Sequence, residues 1–338
     1  ASIWGNPAPG AYVGNFRSTD TSLETRADVL NNFPMILDDS KNASQYIRDN
    51  YETLIYNLCS GKGKARSNKD LGAAKENTWS NVTICNGENP ISEFADSGGA
   101  INRIIEIECC EDIYENPAEI NSTVTKNYGF AGRVFVGNLK QYTSDDLKKM
   151  KVEIEKGFDG FNFPAKQVMA ISTLLLADKL ATEFIFKDGQ NLTVEDVVDI
   201  PTRKKDVSEG QRCYEFILES LSVYGQHFDA QFSCDQWGFQ EPPDINGDVY
   251  IYFYPKPLEN LLKNNGFSRK AFSAWAMNRE LIKHSGKRDT VLKREGSSVM
   301  RFIAVKIVDL EELENEQQSN VIDGDFMPAE AGANLPFS

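Results

Sequence analysis

The chain has 338 residues, 41% of them hydrophobic, and a formal charge of −14, enough apolar material for two or three packed domains and too much for a disordered or fibrous chain. No run of about 18 apolar residues occurs, which excludes a membrane-spanning helix, and Ala1-Ser2-Ile3-Trp4-Gly5 lacks the basic-then-apolar layout of a signal peptide. The expected location is the cytoplasm.

The six cysteines (Cys59, Cys85, Cys109, Cys110, Cys213, Cys234) contain no C-x-x-C, and with only His227 and His284 beside them no zinc-ligand spacing is present. They read as reduced thiols. Net charge conceals a partition along the chain. Residues 309 to 338 carry eight acids and no Lys or Arg, residues 266 to 308 carry ten basic groups against three acids, and residues 61 to 75 carry five against Asp70 alone. A nucleic-acid partner, which the total charge argues against, therefore remains open for these two basic segments.

From Ala11 to about Cys110 the pattern alternates strand and helix as in a parallel α/β sheet. Ala11 to Arg17 reads as a strand and Thr21 to Asn32 as a helix capped by Asp20 or Thr21. Phe33 to Asp39 reads as a strand buried on both faces. Ser44 to Leu58 has apolar residues at helical spacing (Ile47, Tyr51, Leu54, Ile55, Leu58). Lys62 to Ser80 reads as a polar hairpin turning near Asp70-Leu71-Gly72, Asn81 to Asn86 as the next strand, and Arg103 to Cys109 as the last. Residues 120 to 230 read as mostly helical, with Ala165 to Phe186 and Ser208 to Tyr224 the clearest cases. A strand (Val249 to Tyr254), a helix after Pro257, the turn Asn265-Gly266-Phe267, a helix from Ser268 to Leu281 and a hairpin from Thr290 to Val308 follow a winged-helix order.

The carboxyl ends of parallel strands are where open α/β sheets bind ligands. Asp38 and Asp39 close one expected strand and Asn86 closes another, the arrangement by which nucleoside triphosphatases hold magnesium and a hydrolytic water. In that reading Asp38 is the metal ligand, Asp39 polarises the water, and Asn86 contacts the water or the γ-phosphate. The competing readings are a strand-end turn with two solvated acids and an Asn-Gly turn. Arg103, before the last expected strand, either reaches a neighbouring subunit's nucleotide or makes a structural salt bridge. Lys62, Lys64, Arg66, Lys69 and Lys75 form a basic hairpin fitted to a polyanion, or an exposed solubilising loop. Arg269, Lys270 and Arg279 on the second helix of the winged-helix order, and Lys293, Arg294 and Arg301 on its wing, suit a groove and its flanking phosphates. No G-x-x-x-x-G-K-[ST] occurs anywhere in the chain. With the first predicted strand taking the second place of the expected sheet, the chain reads as a fragment whose parent carries strand one and a phosphate loop before Ala1.

With these motifs in order, the sequence resembles the helicase-like family of phage, plasmid and staphylococcal cassette elements, within the AAA+ ATPases and near the minichromosome-maintenance and superfamily 3 helicases. The stretches that carry it are Arg17-Ser18-Thr19-Asp20, Met35 to Asp39, Gly61 to Arg66 with Trp79, Cys85-Asn86-Gly87-Glu88, Gly99 to Ile107, Asn127 to Gly132 and Gly266 to Trp275. The resemblance implies an α/β fold: a truncated AAA+ parallel-sheet core (1–118), a helical lid and linker (119–245) and a C-terminal winged-helix domain (246–308), while the composition of 309–338 reads as an acidic, disordered tail. It implies a hexameric DNA translocase using ATP and Mg2+. It places Asp38 and Asp39 on the Walker B pair, Asn86 on sensor 1, Arg103 on the arginine finger and residues 62 to 75 on the hairpin facing the central channel. The family usually has Asp-Glu where this chain has Asp-Asp, and a chain without the phosphate loop should bind ATP weakly or not at all. Two other functions fit the same residues: a non-enzymatic DNA-binding or origin-recognition module with a vestigial ATPase core, and an ATPase that remodels a protein partner.

Overall fold

Apolar side chains at alternate positions make Met35–Asp38 a strand with one buried face: Met35 and Leu37 are shut off from water, Ile36 is half-buried and Asp38 is exposed. The computed structural model describes residues 1–8, 10–65, 76–95, 97–109, 115–229, 231, 235–286, 288–295 and 298–308. These fall into two compact units, Ala1–Ser208 and a second beginning at Glu209.

The first unit opens with β1 (Val13–Asn15), α1 (Asp20–Leu30) and β2 (Met35–Asp38). The cap of α1 is Thr19, not Asp20 or Thr21, because its hydroxyl accepts the Ser22 N–H at 3.3 Å. The stretch read as one helix from Ser44 is two, α2 (Gln45–Arg48) and α3 (Tyr51–Ser60). The side-chain amide of Asn50 takes the Tyr46 carbonyl at 2.8 Å and its backbone leaves helical geometry, so the helix breaks there. The apolar stripe survives the break: Ile47, Tyr51 and Leu54 all enter one core with Phe16, Leu23, Ala27, Met35, Leu37 and Trp79.

β3 (Thr83–Cys85) completes a parallel sheet in the order β1-β2-β3, with Val13 opposite Ile36 and Ile36 opposite Ile84. The expectation of burial on both faces does not hold for β2 or β3. Phe33, before β2, Val82, before β3, and Ile84, on β3, are about half exposed (48%, 51% and 50%). Between α3 and β3, the Lys62–Thr78 bridge and the Gly63 N–H to Asn77 carbonyl bond at 2.9 Å form the base of a hairpin. Its expected turn, with Arg66, Lys69 and Lys75, lies outside the described residues.

The expected strand from Arg103 to Cys109 is absent. Gly98–Ile101 forms α4, Arg103 sits in the turn after it, and 104–109 carries no ladder to any described strand despite its β-prone Ile-Ile-Glu-Ile sequence. The helical remainder comprises α5 (Pro117–Lys126), α6 (Phe130–Leu139), α7 (Ser144–Lys156), α8 (Ala165–Ala181) with a π turn at Thr182–Phe186, α9 (Val194–Val197) and α10 (Lys204–Val207). Here α8 supplies Ile171, Leu175, Leu176 and Leu180 to two clusters closed by Phe158, Phe163, Val197 and Phe184. The amino-terminal segment is tied to α6: Ser2 and Ile3 carbonyls accept the Gly129 and Gly132 N–H groups at 2.8 and 3.1 Å. A Cβ on Gly132 would lie 2.6 Å from both the Ile3 carbonyl oxygen and the Trp4 ring, so only glycine allows this approach.

The second unit contains α11 (Glu209–Val223), β4 (Gly238–Gln240), β5 (Val249–Phe253), α12 (Pro255–Asn264), α13 (Arg269–Met277), β6 (Ile282–Lys283), β7 (Val291–Glu295) and β8 (Ser298–Ile307). Its antiparallel sheet runs β4-β5-β8-β6, with β7 pairing the first half of β8 as a hairpin. The sequence reading ended the preceding helical segment at residue 245. Instead α11 belongs to this unit, since Cys213, Tyr214 and Ile217 pack in one core with Ile251, Phe253, Leu258, Leu262, Phe272, Ile303 and Val305. The acidic stretch 309–338 lies outside the described residues. Among the described residues no helix is long and apolar enough to cross a membrane, and Cys59, Cys85, Cys109 and Cys213 form no disulfide.

Candidate functional site

The ends of β2 and β3 meet. Asn86 Oδ1 accepts the Asp39 backbone N–H at 2.8 Å, and the Ser40 N–H donates to the Asn86 carbonyl at 3.0 Å. Adjacent parallel strands in this register bring Asp38, Asp39 and Asn86 to one edge of the sheet, with Asn15 of β1 opposite Asp38. Asp39 adopts a left-handed backbone (φ 54°), a conformation that Asp tolerates better than most residues. Its carboxylate accepts the Lys41 N–H at 3.2 Å and the Asn42 side-chain amide, so it caps the short turn Ser40–Asn42. Gly87 has no room for a side chain, since an added Cβ would lie 1.8 Å from Ser40 Oγ.

Sequence reasoning had assigned Tyr51 only to the core. Its hydroxyl donates to the Ser40 carbonyl at 2.6 Å and so braces the turn from below. Burial, followed by the nearby Cys85, pushes the Tyr51 phenol up and keeps it a donor. The one signal in the sequence was a tyrosine where a fully apolar residue would satisfy the stripe. An ion pair between Lys41 and Glu88 ties the two turns together at the surface; with both side chains mostly exposed it contributes little.

Arg103 is held on its own scaffold. Its guanidinium lies 4.6 Å from the Tyr56 ring centroid and donates to the Gly99 carbonyl, while Tyr56 Oη bonds Ser97 Oγ at 3.0 Å. No carboxylate pairs with it among the described residues. Lys62 is exposed at the hairpin base and Lys64 pairs with Asp20 at 3.4 Å.

The basic residues of the second unit separate into two sets. Arg269 bonds Asp289 at 2.6 Å, Asp289 also takes the Ser273 hydroxyl at 2.7 Å, and together they tie the first turn of α13 to the segment before β7. Arg279 stacks on Trp275, 4.6 Å from its centroid, and burial lowers its pKa. Lys293 departs from the expected wing surface. The period-two alternation of β7 turns it away from Arg294, onto an aromatic layer where it lies 4.0 Å from the Tyr252 centroid and pairs with Glu241. Lys283 and Lys306 are likewise paired, with Asp244 at 3.6 Å and Asp248 at 2.9 Å. Lys270, Arg294 and Arg301 stay exposed and make no ion pair among the described residues. Cross-strand pairs Leu292–Arg301 and Arg294–Val299 put both arginines on one face of the hairpin, and Arg301 reaches the Thr290 hydroxyl at 3.4 Å, next to Asp289. The Arg269–Asp289 and Arg301–Thr290 contacts thus tie the start of α13, which carries Lys270, to the hairpin that carries the two arginines.

Residues 1–79 match the family model described as a domain of unknown function, DUF927, and residues 208–309 match that of the Cch helix-turn-helix domain. A solved structure described as "SCCmec type IV Cch - active helicase" superimposes with a TM-score of 0.69 at 15% sequence identity, over 93% of this chain and 58% of that one. The chain shares this helicase's fold. It spans a little over half of that structure's length, and no curated protein matches it. Together the two family matches and the shared fold support the likeness to helicase-like proteins of the staphylococcal cassette.

Proposed function

We propose that the chain is the larger part of a mobile-element replicative DNA helicase, a ring-forming AAA+ motor with a helical lid and a winged helix, which couples ATP hydrolysis at subunit interfaces to movement of DNA. The observation that carries this reading is the 2.8 Å bond from the Asp39 N–H to Asn86 Oδ1, which joins the acid pair of one strand to the amide of its parallel neighbour. The Cch helicase with the same fold supports it.

In this reading Asp38, exposed at the end of β2, is the single carboxylate that holds magnesium together with nucleotide phosphates, the mode magnesium favours over an all-protein cage. The residues present fit that mode: the Asp38 carboxylate is exposed at the end of β2, with Asn15 opposite it on β1. Magnesium, when bound, would offset the charge of the β- and γ-phosphates. The Asn86 side chain, with its oxygen committed to Asp39, offers its amide N–H groups to a phosphate oxygen or the attacking water. Arg103, fixed over Tyr56, faces a neighbouring subunit's nucleotide and stabilises charge that develops in transfer. Lys62 and Lys64 begin the hairpin that tracks DNA in the central channel, and Lys270, Arg294 and Arg301 contact phosphates beside the groove. Arg269 and Lys293 are held by the partners described above, and Arg279, exposed and stacked on Trp275, adds a further phosphate contact.

The test is hydrolysis by a chain that also carries a phosphate loop. Arg103→Ala should abolish DNA-stimulated turnover while ATP still binds; retained turnover would remove Arg103 from the mechanism. One observation favours a second reading, a DNA-binding or origin-recognition module with a vestigial core: the Asp39 carboxylate already accepts the Lys41 N–H and the Asn42 side-chain amide, so part of its accepting capacity is spent on capping its own turn. ATP binding without measurable hydrolysis in that same chain, with DNA binding intact, would select the module.

A further inference from the structure

The acidic stretch 309–338 has no part in the reading above, yet it follows directly on the basic unit. We propose that residues 309–338 dock on the surface formed by Lys270, Arg294 and Arg301 and compete there with DNA. The inference rests on the reading of that surface as the DNA-contacting face and adds its regulation.

The charge accounting favours this occupant. Of the basic groups in 266–308, Lys283, Lys293 and Lys306 are neutralised by Asp244, Glu241 and Asp248, and Arg269 by Asp289. Among the described residues Lys270, Arg279, Arg288, Arg294 and Arg301 remain exposed without an ion pair, and three of them, Lys270, Arg294 and Arg301, stand at the start of α13 and on one face of the β7–β8 hairpin. Residues 309–338 bring eight carboxylates and no Lys or Arg, with Glu311, Glu312, Glu314 and Glu316 grouped at the near end.

The point of departure is fixed and the distance is short. Val308 donates its N–H to Tyr214 Oη at 3.0 Å at the end of β8. Arg301 lies seven residues earlier on that strand, roughly 23 Å away at the rise of a β-strand. An extended chain reaches roughly 10, 14, 21 and 28 Å over the three, four, six and eight residues from Val308 to Glu311, Glu312, Glu314 and Glu316, so of these four it is the Glu316 backbone that spans the distance to Arg301. A tether of this length holds the carboxylates at an effective concentration on the order of millimolar, so an intrinsic affinity of about 0.1 mM would weaken DNA binding about tenfold. Attraction between exposed charges fades beyond a Debye length of about 8 to 10 Å near physiological salt, so the competition is strongest at low salt. Because DNA then displaces acidic side chains as well as counterions, the affinity of the intact chain should depend less steeply on salt.

The experiment compares the full 338-residue chain with its E311Q/E312Q/E314Q/E316Q variant, by fluorescence anisotropy on a 30-base-pair duplex across a salt series. Both are also treated at low salt with a zero-length carbodiimide, and the monomer fraction is analysed by mass spectrometry for links to Lys270. The expected result is a Lys270 link to the 309–338 segment, about tenfold tighter DNA binding by the variant at low salt, and a steeper salt slope. A link with no DNA binding by either chain would uphold the docking and remove the DNA reading of the surface. A link with equal DNA affinities would overturn the competition. No link would overturn the docking even if the variant bound more tightly, since bulk repulsion would then account for the gain.

Discussion

Arg269 and Lys270 are neighbours in sequence, and the structure assigns them opposite roles that one pair of substitutions separates. Arg269 and Asp289 are 2.6 Å apart with side chains 24% and 23% exposed, and among the described residues the Ser273 hydroxyl also donates to that carboxylate. Breaking an exposed pair costs up to about 1 kcal/mol and breaking a buried one about 3 to 5 kcal/mol, so Arg269→Ala, which strands a half-buried carboxylate, should cost about 1 to 2 kcal/mol. For a domain of this size, roughly 4 to 8 °C of melting temperature accompanies each kcal/mol. Lys270→Ala touches an exposed side chain and should leave stability within about 0.5 kcal/mol. It should instead weaken binding to any duplex and lower the log–log salt slope by about one. Calorimetry and anisotropy on the two variants decide the matter. If Arg269→Ala melts with the parent chain and loses DNA affinity as Lys270→Ala does, the ion pair is not a strut and Arg269 belongs among the DNA contacts.

Gly132→Ala forces a Cβ into the Ile3 carbonyl and the Trp4 ring and should cost about 1 to 3 kcal/mol, read as an earlier urea midpoint by tryptophan fluorescence; an unchanged midpoint would show that the amino-terminal segment does not pack on α6. Asn86→Ala removes the acceptor for the Asp39 N–H, worth about 1 kcal/mol, and should speed exchange of that amide about fivefold; equal protection in the variant would mean the bond is not made in solution. Asp146, through the Thr143 hydroxyl, Asp196, through the Thr193 N–H, and Asp244, through the Asn246 N–H, are held below the ordinary aspartate value. Their folded-state pKa values lie under the unfolded ones, so this stability is present above about pH 3.9 and is lost as pH falls through the folded values. Melting temperatures followed from pH 6 to pH 2.5 should fall less in D146N/D196N/D244N than in the parent chain; parallel curves would contradict the assignment.

The arrangement at the strand ends was legible because it rests on short-range order: an apolar run followed by Asp38-Asp39, and another followed by Asn86-Gly87, are strands whose polar ends fall together once they pair in parallel. Three features were not legible, each for a different physical reason. Ile47 and Tyr51 keep helical spacing across a break, so periodicity concealed the interruption made by the Asn50 side chain. Residues 104–109 have strand composition, but a strand exists only where a neighbour supplies a ladder, and none of the described strands does. Lys293 and Arg294 looked equivalent as charges, whereas alternation along β7 sends one to an aromatic layer and Glu241 and the other to solvent. Charge accounting from sequence counts residues; it does not see which of them already have partners.

The central claim is that the acid of β2 and the amide of β3 serve one triphosphate. Its most direct test is steady-state ATP hydrolysis, with and without DNA, by a phosphate-loop-bearing chain in which Asn86 is replaced by Ala. The account predicts a fall in kcat of about a hundredfold, as for loss of a donor that stabilises developing charge, with nucleotide affinity nearly unchanged. Turnover within twofold of the parent chain would contradict it.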